Sequence, residues 1–111
     1  MEKHLVELMD GTRIEVRVNF GTIYYLQKRN GFYKLAKKVE KKIKLSDSES
    51  FEMAAGIIYA LLRSNGKAVT FDEAMSLMPP GLEEIKAVLK AFEEEYSKYN
   101  KKKQAKQSPA R

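Results

Sequence analysis

Six lysines, Lys34, Lys37, Lys38, Lys41, Lys42 and Lys44, fall within eleven consecutive positions, among Phe32, Leu35, Ala36, Val39 and Ile43 at helical spacing. A helix so charged could hold phosphate by counterion release, lie on an anionic bilayer, or dock on an acidic protein. Base-specific readout is disfavoured, because residues 34–44 contain no Arg, Asn or Gln for bidentate base contacts. Membrane binding is disfavoured because the chain has no Trp and the apolar stripe is needed by a core. A solvated, self-repelling face is the plain account, with partner docking second and nucleic acid third. Lys34, Lys37, Lys38, Lys41 and Lys42 are therefore candidate partner-binding residues. To them we add Glu52, Tyr59 and Arg63, from a polar stripe that includes Gly56, and Lys101, Lys102 and Lys103 of the basic C-terminal run.

Catalytic chemistry finds little to work with. His4 is the sole histidine and Cys is absent, so neither a metal cluster nor a nucleophilic triad is supported. The glycines at 11, 21, 31, 56, 66 and 81 are isolated and form no phosphate loop. Acidic residues at 72–73, 83–84 and 93–95 sit at helix starts or on faces where Lys86, Lys90 and Lys98 lie at helical spacing. The expectation is a protein without enzymatic activity, metal or cofactor.

The charge is segregated. The chain of 111 residues carries +6 overall, but residues 28–44 contribute +7 and 101–111 contribute +5, against −5 for 45–100 and −1 for 1–27. A uniformly basic nucleic-acid binder would not show an acidic body. Hydrophobic content of 43% and eleven aromatic residues suit one folded domain. No apolar run approaches the ~20 residues that span a bilayer, and no secretory pattern opens the chain, so a cytoplasmic setting is expected.

The elements that must position these residues begin with a β-hairpin over 1–18. Ile14, Val16 and Val18 alternate with Arg13, Glu15 and Arg17. A two-residue turn at Asp10-Gly11 would set Glu7 opposite Ile14 and mix the faces. A three-residue loop, Met9-Asp10-Gly11 with Gly11 left-handed, sets Val6 opposite Ile14 and Leu8 opposite Thr12. The rest is helical. Phe20, Ile23, Tyr24 and Gln27 share a face, and "RNG" at 29–31 carries a Gly cap signal. The lysine helix spans 32–44. "SDSE" at 46–49 is a capping box that pairs Ser46 with Glu49 and opens a central helix. Within it, "MAAGIIYALL" at 53–62 has no charge and must be covered on nearly every side, with only the Glu52–Arg63 stripe wet. A second capping box, Thr70 with Glu73, starts a short helix with Phe71, Ala74, Met75 and Met78 inward. A last helix runs from about Gly81 with Leu82, Ile85, Val88, Leu89, Phe92, Tyr96 and Tyr99 as its stripe. The fold expected is α+β and predominantly helical, a hairpin on four to five helices over residues 1–100. Residues 101–111 read as a flexible basic tail.

The order of these elements resembles the tail assembly chaperones of long-tailed bacteriophages. The resemblance lies in "FGTIYYLQKRNGFYKLAKKV", in "DSESFEMAAGIIYALLRSNGKAVTFDEAMSLM" and in "GLEEIKAVLKAFEEEY", and it covers about residues 1–100. It implies a non-virion protein that coats the tape-measure protein and recruits the major tail-tube protein in the host cytoplasm. The basic 28–44 segment and acidic body also suggest weak homo-oligomerisation, with no nucleic acid or membrane as partner. The rival expectation is a small nucleic-acid-binding or regulatory protein that uses the lysine helix 34–44 and the tail.

Overall fold

The computed structural model describes residues 5–28 and 32–106 and, within them, all side chains except those of residues 33, 40, 100 and 102–106. His4, the cap signal at 29–31 and residues 107–111 lie outside the described residues.

The hairpin forms in the expected register. Strand β1 (Leu5–Glu7) pairs antiparallel with β2 (Arg13–Glu15), with Val6 opposite Ile14. The Leu8 amide donates to the Thr12 carbonyl at 2.7 Å, and Gly11 turns the loop at φ +87°. Asp10 adds a local brace, accepting from the Thr12 amide at 2.9 Å. Val6, Leu8, Ile14 and Val16 are buried, while Arg13 and Arg17 face water. So short a ribbon needs support, and the loop finds some where the Met9 amide donates to the Leu77 carbonyl at 2.9 Å.

The centre of the molecule is α3 (Asp47–Ser64). Its capping box closes as the sequence demands: the Glu49 amide donates to Ser46 Oγ at 3.1 Å, and the Ser46 amide to Glu49 Oε1 at 3.0 Å. Every residue from Met53 to Leu62 is buried except Tyr59, which is half-buried. Four helices pack on it: α1 (Phe20–Gln27), α2 (Phe32–Glu40), α4 (Phe71–Ser76) and α5 (Leu82–Lys106). From α5, Ile85, Val88 and Phe92 are buried in the same core as the inward hairpin residues. The architecture is thus a predominantly helical α+β fold, five described helices with an N-terminal hairpin. The covering of 53–62 comes from the chain itself.

Helix α1 is seated by chemistry that the apolar pattern does not reveal. Asn19 and Thr22 form a third capping box, with the Thr22 amide donating to Asn19 Oδ1 at 3.0 Å and the Asn19 amide to Thr22 Oγ1 at 3.3 Å. Thr22 is fully buried and its hydroxyl also donates to the Arg17 carbonyl at 3.0 Å. Beside it, Gly21 has no side chain to separate α1 from Ser64; an added β-carbon would sit 3.4 Å from Ser64 Cβ.

That seating turns α1 round. Thr22 and Leu26 are buried and Tyr25 is half-buried, whereas Phe20 is 73% exposed and Tyr24 and Gln27 are exposed. The stripe 20, 23, 24 and 27 therefore faces outward. Helix α2 also ends early: it stops at Glu40, so Lys41, Lys42, Ile43 and Lys44 follow the helix instead of extending it. The amides of Lys42 and Ile43 turn back to the carbonyls of Val39 and Lys38 at 3.0 and 2.9 Å, the reversal that closes many helices. The same reversal ends α3, with Gly66 and Lys67 donating to Arg63 and Leu62 at 3.0 Å each. In α4 only Ala74 is buried; Met75 points out, because a six-residue helix has one narrow inward face. Finally, α5 continues through Lys106, so 101–106 is helical backbone and not tail. Lys, Gln and Ala propagate a helix already nucleated by packing, and no stop signal intervenes.

Candidate partner-binding surfaces

The wet stripe expected on α3 is narrower than its spacing suggests. Gly56 is buried against α1 and α2, where an added β-carbon would meet Leu26 and Phe32, each at 3.9 Å. Tyr59 lies between Tyr25 of α1 and Phe71 of α4, edge-to-face with both, at ring-centre separations of 6.3 and 5.9 Å. Arg63 covers the Tyr25 ring, its guanidinium carbon 5.1 Å from the centroid, and donates to the Val69 carbonyl at 3.4 Å. Tyr59 and Arg63 are thus brought together through Tyr25, a residue the sequence pattern did not single out. They serve first to fasten α1 and α4 to α3. Glu52, at the other end of the stripe, remains exposed.

The aromatic line continues outward. Tyr24 meets Tyr25 edge-to-face at 5.3 Å, and the Lys28 ammonium lies 4.7 Å from the Tyr24 ring centre. A hydrogen bond to the Tyr24 side chain, and then the Tyr24 charge, holds Lys28 protonated to higher pH than an ordinary lysine. With Phe20 one turn before and Ile23 half-exposed between, α1 presents an apolar outer face that ends in a cation. The core closes without this face.

The lysines do not form one surface. Lys34 and Lys37 are exposed on α2, and Lys38 is drawn inward to an ion pair with Glu49 of α3. That pair ties α2 to the capping box of α3 and, with the Ser46 amide second, holds the Glu49 carboxyl below its usual range. Lys41 and Lys42 are exposed in the turn after α2. Lys101 is exposed on α5, and Lys102 and Lys103 follow on the same helical backbone, their side chains outside the description.

Among the described residues no three His, Asp or Glu side chains gather to hold a metal ion, and no helix is long and apolar enough to cross a membrane. What the arrangement can do is bind: it offers an apolar aromatic face on α1, a cationic turn between α2 and α3, and a lysine-bearing end to α5. Comparison of the chain with protein-family models, with curated proteins and with solved structures finds no match.

Proposed function

We propose that this protein is a non-enzymatic tail assembly chaperone of a long-tailed phage, covering the tape-measure protein and gathering tube subunits in the host cytoplasm. The observation that carries the proposal is the outer face of α1. Among the described residues nineteen apolar side chains are buried in a core that excludes it, yet Phe20 stays 73% exposed beside Ile23 and Tyr24. Apolar surface left over by a finished core is what a protein that shields another chain needs. A long helical tape protein offers apolar stripes, and many copies of a small module could cover them through individually weak contacts. The resemblance of residues 1–100 to the chaperone family supplies the identity of that client.

The experiment is co-expression with a tape-measure fragment. The wild-type chain is expected to keep the fragment soluble. Phe20→Ser should lose that rescue while melting as the wild type does, since an exposed side chain contributes little to stability. Rescue by Phe20→Ser equal to wild type would remove α1 from the interface. Tight binding to nonspecific duplex DNA at physiological salt would favour the nucleic-acid alternative.

A further inference from the structure

Lys42 adopts a backbone conformation that favours glycine. Its φ is +60°, where a β-carbon crowds the neighbouring carbonyl. The equivalent position at the end of α3 holds Gly66, at φ +88°. Lysine therefore weakens this helix end relative to glycine. Lys42 is exposed, and like Lys34, Lys41 and Lys44 it makes no ion pair with a described side chain. Between Lys42 and Lys44, Ile43 is 50% exposed. Phe51, two residues past the Glu49 that pairs with Lys38, is exposed as well. Backbone strain, like-charge crowding and uncovered apolar surface thus coincide at the junction of α2 and α3.

We infer that the Lys41–Lys44 turn is a docking surface for an acidic amphipathic helix of a partner protein. Ile43 is its apolar anchor, and Lys41, Lys42 and Lys44 meet the partner's carboxylates. Charge complementarity sets the sign of the partner, because Lys41, Lys42 and Lys44 are exposed together and Glu49 of α3 is already engaged by Lys38. The exposed isoleucine sets its class. A phosphate backbone gives an aliphatic side chain nothing to pack on, whereas an amphipathic helix offers apolar and acidic groups side by side. Strained, unusual backbone retained at one exposed residue fits a position held for contact. The inference needs only a partner of this chemistry and stands or falls apart from the tape-measure proposal.

The test uses the full chain and a fluorescent helical peptide of about five turns, with leucines on one stripe and glutamates elsewhere. A second peptide has the same composition with its leucines dispersed, and a third probe is a nonspecific DNA duplex. The striped peptide is expected to bind at low salt, roughly fivefold or more tighter than the dispersed one, and to weaken as salt screens the lysines. Lys42→Gly should raise the melting temperature and yet weaken peptide binding. Ile43→Ser should weaken binding with little change in melting. Equal binding of the two peptides, tighter binding of the duplex, or no peptide binding at low salt would each overturn the inference. So would a Lys42→Gly chain that melts higher and binds unchanged.

Discussion

The hydroxyl oxygens of Thr22 and Ser64 lie 3.4 Å apart, joining the first turn of α1 to the last residue of α3. Thr22 is fully buried, and its oxygen also serves the Asn19 amide and the Arg17 carbonyl, while Ser64 donates to the Leu61 carbonyl at 3.1 Å. Removing the hydroxyl would take a partner from several part-buried polar groups at once. Thr22→Val, which keeps the shape, is expected to cost about 1–3 kcal/mol in chemical denaturation. Thr22→Ser should recover much of that. A Thr22→Val chain as stable as wild type would show that water replaces the hydroxyl.

Ile58 sits at the middle of α3 with no exposed surface. Ile58→Ala should lower stability by about 2–5 kcal/mol through lost burial and a residual cavity. Ile58→Asp would bury an unpaired charge and is expected to abolish cooperative unfolding or leave the protein insoluble. A soluble, cooperatively melting Ile58→Asp protein would mean that a partner, and not the chain, covers this segment.

The features legible in the sequence were those decided within a few residues. The hairpin register follows from the alternation around Ile14 and from one glycine, and the Ser46–Glu49 and Thr70–Glu73 boxes follow from side chains three positions apart. The orientation of α1 was not legible in this way. Phe20, Ile23, Tyr24, Tyr25 and Leu26 make nearly the whole helix apolar, so periodicity alone does not select a face. The choice falls to Thr22 and Gly21, whose partner Ser64 is 42 residues from Thr22. The end of α2 was hidden for a different reason: the left-handed residue that closes it is a lysine, where a Gly or Asn would have signalled the stop. Of the candidate binding residues, Lys41 and Lys42 are exposed but lie in the turn after α2, where the pattern draws a helix through residue 44. The pattern also gave no sign that Tyr25 would hold Tyr59 and Arg63.

Acid should weaken the fold through two identified carboxylates. The Thr12 amide holds Asp10 below the ordinary carboxylate range, and the Lys38 ammonium, then the Ser46 amide, do the same for Glu49. Because both folded-state values lie below the unfolded ones, the stabilisation is complete above the unfolded pKa and is lost as pH falls through the folded value. Urea midpoints should therefore be level from neutrality to about pH 5 and decline below it, as the medium enters the normal titration range of Asp and Glu. The Asp10→Asn, Glu49→Gln double variant should be less stable at neutral pH and decline less steeply in acid. An unchanged acid limb in that variant would assign the loss to other carboxylates.

Ending the chain at Asn100 tests what the final turns of α5 contribute. The truncation removes Lys101, Lys102, Lys103, Lys106 and Arg111, reducing the net charge from +6 to +1. Little of the core goes with them. Among the described side chains, Phe92 is the last to be buried on α5, and only Tyr96 and Tyr99 are half-buried beyond Glu95. Lysines in a last turn favour the helix dipole by about 0.3–1 kcal/mol, so the melting temperature should fall by only a few degrees. Binding should respond more. Cations carried on a helical backbone speed encounter with an acidic partner, an effect that fades as salt rises. The 1–100 chain is therefore expected to rescue a co-expressed tape-measure fragment less well than the full chain. A full-length Lys101→Gln, Lys102→Gln, Lys103→Gln variant separates charge from helix length, since glutamine sustains a helix as well as lysine. If that variant matches 1–100 in binding assays at low salt, the charge is what recruits. Equal rescue by all three proteins would confine the binding surface to the folded body, to the outer face of α1 and the turn after α2.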